Sequence, residues 1–370
     1  MRIAIDASTI STQGGPRTYV LGLIDALLLI DHENEYVIFY NDPVHCGRYP
    51  RAKEIVLPGK SPLARLWREH VLLPNACRRE RIDVLHCPKS AIPFWSPCPV
   101  VVTLHDLIPV TNPELEKRAA QLYWRLHIRR AAQKSDFVIT ISEWAKTEIM
   151  EEYGVPEGRL AVIMQSYDPK MLLPRDPEQG KVIRKRHGLS EGYILYVGTV
   201  QPRKNLISLI EAYGLLTCEG AVPKLVIAGR KGWLYDTIFS RISELGLTED
   251  IIFIGFVDDD ELPFIYDGAS VFTYVSLLEG FGRPPLEAMA CGVPVITSNT
   301  SAIPEVVGEA GITVDPTDIN GIAAALRQIL SDPVLAASLR DAGRKRAALF
   351  SWETAARETL AIYNHVRGRQ

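Results

Sequence analysis

The hydrophobic positions of the chain fall into short runs rich in Val, Ile, Tyr and Phe, and segments with a helical period separate these runs. Runs that are apolar at nearly every position are typical of strands covered on both faces, as in parallel sheets with crossover helices. The first half contains predicted strands at residues 2–8, 35–41, 83–87, 100–106, 136–142 and 160–165. The second half contains them at residues 193–199, 224–229, 251–256, 270–276, 294–298 and 311–315.

Two such series predict an α/β protein with two Rossmann-like domains. Residues 166–190 lie between the series and combine several prolines with mixed charge, a composition that permits hinge motion between domains. We therefore expect domains at residues 1–173 and 190–351. Ser351 is a plausible cap for a final helix over residues 352–370, whose apolar spacing is compatible with helix.

Composition and charge fit this picture, since 370 residues suit two domains. A formal net charge of −3 argues against nucleic acid as a partner. Residues 65–134 depart from the average, with 12 Lys and Arg against 6 Asp and Glu. That local excess is the composition's one hint of an anionic partner.

The cysteines and the apolar segments indicate the compartment. The six cysteines are scattered without a CxxC pair, as expected for reduced thiols of a cytosolic protein. The N-terminus has a short strand pattern instead of a signal peptide, and no stretch reaches the roughly 18 apolar residues of a membrane span. We expect a cytoplasmic protein, attached at most peripherally to the inner face of a membrane.

The run from Glu279 to Glu287 holds the strongest candidate chemistry. Two carboxylates flank a Phe-Gly turn, an apolar β-type segment precedes them, and a helical pattern begins at the second proline. Ligands of open α/β sheets bind at the carboxyl edge of the strands, where a helix N-terminus favours a diphosphate. The run therefore predicts half of a nucleotide-sugar site.

Several motifs together resemble one known family. The run Glu279–Glu287, continued by AMACGVPVITS, resembles the E-x7-E signature of retaining GT-B glycosyltransferases of the glycogen-synthase-like family 4. Similar segments occur in the expected order at STQGGPRTYV (11–20), VVTLHDLIP (101–109), VITISEWAKTEI (138–149) and VGTVQPRKNL (197–206). The HDLIP and AGRKGW (228–233) motifs most resemble bacterial mannosyl- or rhamnosyltransferases of surface polysaccharide assembly.

The resemblance implies a GT-B fold, with two Rossmann-like domains facing a cleft and the C-terminal helix packing back on the first domain. The second domain would bind the nucleotide-sugar donor and the first the acceptor. The implied reaction moves a hexose, best guessed as mannose from GDP-mannose, to a saccharide or polyprenyl-diphosphate-linked saccharide with anomeric retention. A UDP- or dTDP-sugar donor and a non-catalytic nucleotide-sugar-binding protein remain alternatives.

The resemblance also gives roles to residues of the E-x7-E run. Glu287 would hold the two ribose hydroxyls, and Glu279 the hydroxyls of the transferred sugar. Phe281 and Gly282 would present backbone N–H groups to the diphosphate, whereas Pro284 and its neighbour have none to offer. The alternative is a pair of solvated acids at a helix start.

A basic dipeptide supplies the expected diphosphate clamp. Arg203 and Lys204 would stabilise the leaving diphosphate, the alternative being a basic turn before a helix. Many family members have an arginine where this chain has Thr199, so either Arg203 replaces that charge or the clamp is weaker. Arg230 and Lys231 are further candidates.

The first domain contributes two expected contacts with the donor. Gly14 and Gly15 would bring the backbone close to the donor phosphates, although glycine pairs are common in turns. His105 would meet the sugar's 6-position, the alternative being a structural histidine, and Asp106 can orient its ring. In the second domain, the backbone around Val257 would face the nucleobase.

Two further features have competing interpretations. Asp258–Asp260 could hold a divalent cation, but capping of the next helix is simpler, so we expect neither metal nor other cofactor. Residues 117–134 interleave arginines with apolar residues, which fits an ordinary amphipathic helix or a surface for anionic lipid or a polyprenyl diphosphate. A glycosidase is disfavoured because its paired acids lie closer together, and a dehydrogenase because no GxGxxG follows a strand.

Overall fold

The computed structural model describes residues 1–12, 14–59, 61–113, 118–232 and 236–368. Gln13 of the first glycine loop, Lys117 of the basic stretch, Trp233 of the AGRKGW motif and Arg369–Gln370 of the predicted final helix lie outside the described residues. The chain divides into two compact units, Met1–Ser166 with Ser351–Gln370 and Tyr167–Phe350. Each unit has its own parallel sheet, which confirms the predicted α/β class.

The first sheet has the strand order β3-β2-β1-β4-β5-β6-β7. Its strands are β1 (Arg2–Asp6), β2 (Glu35–Tyr40), β3 (Lys53–Val56), β4 (Val84–Cys87), β5 (Val100–Leu104), β6 (Phe137–Thr140) and β7 (Leu160–Val162). The helices of this unit are α1 (Gly15–Ile30), α2 (Pro62–Trp67), α3 (Leu73–Arg79), α4 (Ile108–Thr111), α5 (Arg118–Lys134), α6 (Glu143–Tyr153) and α15 (Trp352–Arg367). A π-helical turn, Arg68–Leu72, joins α2 to α3.

The second sheet has the order β10-β9-β8-β11-β12-β13. Its strands are β8 (Tyr193–Val197), β9 (Leu225–Ala228), β10 (Ile251–Gly255), β11 (Ala269–Tyr274), β12 (Val295–Ser298) and β13 (Ile312–Val314). The helices are α7 (Pro177–Arg186), α8 (Leu206–Glu219), α9 (Asp236–Glu244), α10 (Leu262–Asp267), α11 (Arg283–Ala290), α12 (Ile303–Val307), α13 (Ile319–Ser331) and α14 (Pro333–Ala347). In both sheets the central strands are buried on both faces, as their continuous apolar sequences require.

The final helix α15 packs within the first unit. Ser351 caps it, since its Oγ accepts hydrogen bonds from the backbone N–H groups of Glu353 and Thr354. Trp352 covers Gly22 of α1 so closely that a Cβ there would lie 2.2 Å from the indole. The buried Tyr363 hydroxyl lies 2.6 Å from Nδ1 of His86 on β4. Close packing at one end of α15 and a polar contact at the other fix its register against the first unit.

The proline-rich segment 166–190 is not an extended linker. It contains a short 3-10 turn and the helix α7, and Tyr167 already belongs to the second unit. Met171 is buried, and its carbonyl accepts a contact from the Cys291 thiol at 3.7 Å. Arg184 of α7 donates to the backbone oxygen of Phe264 at 3.2 Å. Pro169 and Pro177 start the turn and the helix at positions that need no N–H donor.

Membrane-span criteria give a limited result. Within the described ranges, no single helix is long and apolar enough to cross a bilayer. One bent pair, Ile319–Ser331 with Pro333–Arg367, meets the length and composition criteria only when the two are taken together across a 100° bend.

Candidate functional site

The loop after β11 places Glu279 at the carboxyl edge of the second sheet. β11 ends at Tyr274, and α11 begins at Arg283 after Gly282 adopts a left-handed φ of 104°. The loop is tied to the turn at 202–204, because Leu277 N donates to Arg203 O at 3.0 Å and Arg203 Nη1 donates to Leu278 O at 2.5 Å. These bonds bring together residues that are about 75 positions apart in sequence.

Glu279 lies between two cations. Arg203 Nη1 is 2.9 Å from Glu279 Oε2, and Lys204 Nζ is 2.5 Å from Glu279 Oε1. The carboxylate and the Lys204 ammonium are each less than a tenth exposed. The structure therefore unites three of the four predicted catalytic residues in one buried ion cluster.

The electrostatics of this cluster favour an anionic ligand. Burial opposes ionisation of Glu279, but Lys204 and Arg203 outweigh it and lower the pKa of the carboxyl to about 2. Two cations and one carboxylate leave a net charge of +1 at a position where water is largely excluded. Such a charge attracts phosphate strongly because the local dielectric is low.

Two supporting groups of the cluster have no sequence signature. The Tyr274 hydroxyl donates to Glu279 Oε1 at 3.0 Å and accepts from Lys204 Nζ at 2.5 Å. The backbone N–H of Glu279 donates to the Ser301 hydroxyl at 3.0 Å. Tyr274 reads as an ordinary strand residue and Ser301 as an ordinary loop residue, so only their positions in space reveal them.

Glu287 forms a separate cluster on α11. It is buried, Tyr266 donates to its Oε2 at 3.1 Å, and Arg283 Nε lies 2.9 Å from its Oε1. The Arg283 donors are poorly aligned with that oxygen, since neither Nε nor Nη1 makes a hydrogen bond within the described residues. Burial raises the pKa of Glu287 above its usual value despite Arg283. The two acids of the run thus have opposite electrostatic environments.

The remaining predicted donor contacts of the second unit lie in the loops after β8, β10 and β11. Phe281 is buried with its ring 5.9 Å from that of Phe350, and Gly282 caps α11. Thr199 is exposed in the loop after β8. Its side chain is neutral, so it does not supply the charge that an arginine would. Val257 is buried after β10, and the exposed ring of its neighbour Phe256 lies 4.4 Å from the Arg230 guanidinium.

The predicted contacts of the first unit share its carboxyl edge. Gly14 has a φ of 96° and precedes Gly15 at the start of α1. His105 follows β5, with Nε2 3.4 Å from Pro88 O and its ring 4.8 Å from that of Tyr19 on α1. Burial lowers the pKa of His105 to about 4, so the imidazole is neutral at pH 7. Gly14, Gly15 and His105 belong to the first unit, whereas the clusters around Glu279 and Glu287 belong to the second.

A buried ion network at the end of β1 was not predicted. Arg68 Nη2 donates to both oxygens of Asp6, at 2.8 and 2.9 Å. Lys89 Nζ lies 3.2 Å from Asp6 Oδ2 and also contacts Glu69. Asp6 could have been suspected because an acid that ends an apolar strand lies at the ligand-binding edge.

The aspartates at 258–260 do not occupy the N-cap position of the next helix, contrary to the simpler interpretation. Helix α10 begins at Leu262 with Glu261 at its N-cap position, and the Glu261 side chain makes no capping hydrogen bond. The backbone oxygen of Asp258 accepts from Glu261 N and Leu262 N instead. Asp260 forms an ion pair with Lys170. A tight turn has taken the place of the expected side-chain cap.

The described part of the basic stretch forms α5, which presents arginines and leucines outward. Leu122 and Leu126 are 66% and 58% exposed, and Arg125 and Arg129 lie exposed beside them. The inner side of the helix buries Ile128 in the core of the first unit. Helix α2 is adjacent, because the Arg65 guanidinium lies 5.3 Å from the Tyr123 ring, and it exposes Leu63 and Trp67.

Comparison with known proteins gives a consistent picture. The family model described as Glycosyltransferase Family 4 matches residues 13–170, and the one described as Glycosyl transferases group 1 matches residues 181–346. O-antigen chain mannosyltransferase B of Escherichia coli is 35% identical over 71% of this chain and 69% of its own length. The GDP-mannose-dependent alpha-(1-6)-phosphatidylinositol monomannoside mannosyltransferase of Mycolicibacterium smegmatis is 31% identical over 62% of each chain.

Solved structures match over the whole length. Sucrose-phosphate synthase from Thermosynechococcus elongatus superposes with a TM-score of 0.80 at 23% identity, and the match covers all of both chains. At that identity the likeness establishes the fold, which is GT-B.

Proposed function

The chain belongs to the family 4 glycosyltransferases, which are nucleotide-sugar-dependent hexosyltransferases, and we propose that it transfers mannose from GDP-mannose with retention of the anomeric configuration. The acceptor in this proposal is a saccharide or a polyprenyl-diphosphate-linked saccharide of polysaccharide assembly. The observation that carries the proposal is the buried cluster of Glu279 with Arg203 and Lys204.

The cluster suits a reaction whose leaving group is a diphosphate. Charge builds up on the β-phosphate as the glycosidic bond breaks, and cations fixed in advance stabilise it without reorganisation. Glu279 holds both cationic head groups in place and, with its remaining lone pairs, accepts hydrogen bonds from sugar hydroxyls. Glycosyl transfer therefore needs no covalent nucleophile from the protein.

The other residues position the donor. Glu287 accepts the ribose hydroxyls, Phe281 and Gly282 approach the diphosphate through their backbone, and the backbone at Val257 faces the base. Thr199 contributes a hydroxyl near the phosphates. From the first unit, Gly14 and Gly15 approach the phosphates, and neutral His105 meets the sugar's 6-position.

The proposed chemical step is a front-face displacement. The bond between the anomeric carbon and the β-phosphate oxygen breaks, and the acceptor oxygen bonds to the same face of that carbon. The acceptor proton passes to the departing phosphate oxygen, so retention requires neither a metal nor a protein base. The Arg203–Lys204 pair provides the charge stabilisation that a metal ion gives in other transferases.

The choice of donor rests on the relatives. Both of the mannosyltransferases compared above carry mannose in their names, and one names GDP-mannose. A screen of GDP-, UDP- and dTDP-sugars, by thermal shift and then by release of nucleoside diphosphate, tests this assignment. GDP-mannose should give the largest shift and acceptor-dependent turnover. Turnover with a UDP- or dTDP-sugar instead would overturn the donor, and tight binding without turnover would favour the non-catalytic alternative.

We also propose that the protein acts in the cytoplasm at the inner face of a membrane. The exposed Leu63 and Trp67 of α2 and the leucines and arginines of α5 combine apolar and cationic groups, the composition that binds an anionic lipid surface. Vesicles containing phosphatidylglycerol should sediment the protein, and Arg125→Gln with Arg129→Gln should abolish this. Equal binding to neutral phosphatidylcholine vesicles would contradict the proposal.

A further inference from the structure

Three potential metal ligands converge in the first unit. Glu69 and His70 lie on the π-helical turn, and His127 lies on α5. One carboxylate oxygen and one nitrogen of each ring lie within 4.8 Å of one another. Two imidazoles and a carboxylate form a donor set that suits Zn²⁺ and related transition metals.

The ring nitrogens of this cluster lack hydrogen-bond partners. Both nitrogens of His70 and Nε2 of His127 are buried, and none of them makes a hydrogen bond within the described residues. A buried polar atom without a hydrogen-bond partner destabilises the folded state. One bound metal ion would take the lone pairs of one His70 nitrogen and of His127 Nε2, so it would satisfy two of these three atoms.

His127 is held in the orientation of a metal ligand. Its Nδ1 lies 2.8 Å from the backbone oxygen of Tyr123, and because a carbonyl only accepts, Nδ1 carries the proton. The lone pair is then on Nε2, which is buried and makes no hydrogen bond within the described residues. Metal-binding histidines are commonly fixed in this way through the other ring nitrogen.

Aromatic stacking fixes both ring planes. The His70 ring stacks on Phe94 at 3.8 Å, and the His127 ring stacks on Tyr123 at 3.9 Å. The two imidazoles are 5.8 Å apart between centroids. The ligands are thus held near a common point by packing, so binding requires only a small closing movement.

Glu69 keeps an oxygen for the ion. Its Oε1 contacts Lys89 and lies 3.3 Å from Arg65 Nε, whereas its Oε2 has a weak 3.4 Å contact with the Tyr123 hydroxyl. Lys89 also lies 3.2 Å from Asp6 Oδ2, so it keeps one carboxylate contact, shared with Arg68, when Glu69 binds a cation. The nearby Lys89 and Arg65 side chains repel a metal cation and weaken its binding.

We propose that Glu69, His70 and His127 bind a divalent transition-metal ion, Zn²⁺ by preference, with a coordination position left for water. The ion fastens the π-helical turn to α5. The cluster lies in the first unit, whereas Glu279 lies in the second.

The test is metal binding by the full-length protein after treatment with a chelator. Zn²⁺ titration should give one equivalent bound, and Co²⁺ should produce visible absorption bands of a low-coordinate nitrogen and oxygen site. His70→Gln and His127→Gln should each weaken binding at least tenfold and remove the Co²⁺ bands. The exposed His32→Gln is the matched control and should bind as the wild type does.

A second variant tests the charge balance. Arg65 is half exposed, so Arg65→Gln should fold normally and tighten Zn²⁺ binding severalfold by removing a competing cation. Thermal unfolding with and without Zn²⁺ should show a stabilising shift that His70→Gln lacks. Wild-type binding no tighter than that of His70→Gln, or an equal loss in His32→Gln, would show that the cluster does not bind metal.

Discussion

Lys204 Nζ lies 2.5 Å from Glu279 Oε1, so the lysine that we propose for the phosphate clamp and the acid that we propose for holding the sugar form one buried ion pair. The Tyr274 hydroxyl bonds to both groups. The acid of the E-x7-E run is therefore also a positioning group for the cations. Loss of any one member should disturb the others.

Removing the Lys204 ammonium tests this coupling. Lys204→Met keeps the aliphatic stem but leaves Glu279 with Arg203 alone, and we expect turnover to fall about a hundredfold, as for loss of one preorganised charge-stabilising donor. A steady-state assay measures this turnover, at a temperature where circular dichroism shows that the variant is folded. The exposed Lys345→Met is the control and should keep wild-type turnover. Retention of half the activity by Lys204→Met would rule out a clamp role.

Glu287 should act on nucleotide affinity. Glu287→Gln removes a charged acceptor, and we expect GDP binding to weaken roughly tenfold to a hundredfold, the worth of a hydrogen bond to a charged group. Isothermal titration calorimetry with GDP measures the affinity of each variant. Tyr266→Phe, which removes only one donor to Glu287, and the exposed Glu309→Gln are the comparison variants. An unchanged GDP affinity in Glu287→Gln would show that Glu287 does not bind the ribose.

The fold could be predicted from sequence wherever burial makes a strand apolar along its whole length. β3 (Lys53–Val56) was missed because it is an edge strand with two charged residues, so it has no continuous apolar run. The helix α7 was missed because the prolines and charges in and before it resemble those of a linker, although Ile183 and Arg184 are buried. Composition alone does not distinguish a helix-starting proline from a loop proline.

The candidate site could be predicted in part from the sequence. Arg203, Lys204, Glu279 and Glu287 belong to local motifs and were predicted. Their partners Tyr274, Tyr266 and Ser301 come from other elements, and only the strand order brings them into contact. The metal-ligand cluster joins residues 57 positions apart, from His70 to His127, so no spacing pattern reveals it.

Glu148 should make stability depend on pH. Burial, followed by the charge of Asp106, raises the pKa of Glu148 to about 7, and its Oε2 has no hydrogen bond within the described residues. The folded state then binds this proton more tightly than the unfolded state, so stability falls as pH rises from about 4.5 to about 7. Glu148→Gln should be more stable than wild type by roughly 1 kcal/mol at pH 8, a value reduced for partial exposure.

Denaturant unfolding at two pH values measures this effect. At pH 4.5 the Glu148→Gln variant and the wild type should be nearly equal in stability, because both side chains are then neutral. An equal stability difference at pH 4.5 and pH 8 would mean that titration of Glu148 is not its cause.

The contact between Gly22 and Trp352 should fix α15 on the first unit. Gly22→Ala places a Cβ 2.2 Å from the indole, and such overpacking typically costs about 1–3 kcal/mol. Gly158→Ala is the control, since nothing lies within 4 Å of a Cβ there. Trp352→Phe in the Gly22→Ala background should recover part of the lost stability in thermal unfolding. A lack of destabilisation in Gly22→Ala would show that α15 packs less closely.

Transfer should survive chelation. In the proposed chemistry the cation pair at Glu279 takes the role of a metal at the diphosphate, so we expect excess EDTA to leave initial rates unchanged at 25 °C. If EDTA lowers the rate, the His70→Gln variant separates two causes. A loss that persists in that variant would place a required metal at the donor site and contradict the proposed chemistry.

The most direct test is the effect of Glu279→Gln on acceptor-dependent release of GDP from GDP-mannose, measured beside GDP affinity. The substitution keeps the shape but removes the charge that holds Arg203 and Lys204 in place. We predict that turnover falls at least a hundredfold, while GDP affinity changes less than it does in Glu287→Gln. Turnover close to that of the wild type, or a loss confined to GDP affinity, would contradict the assignment of the Arg203–Lys204–Glu279 cluster as the transfer site.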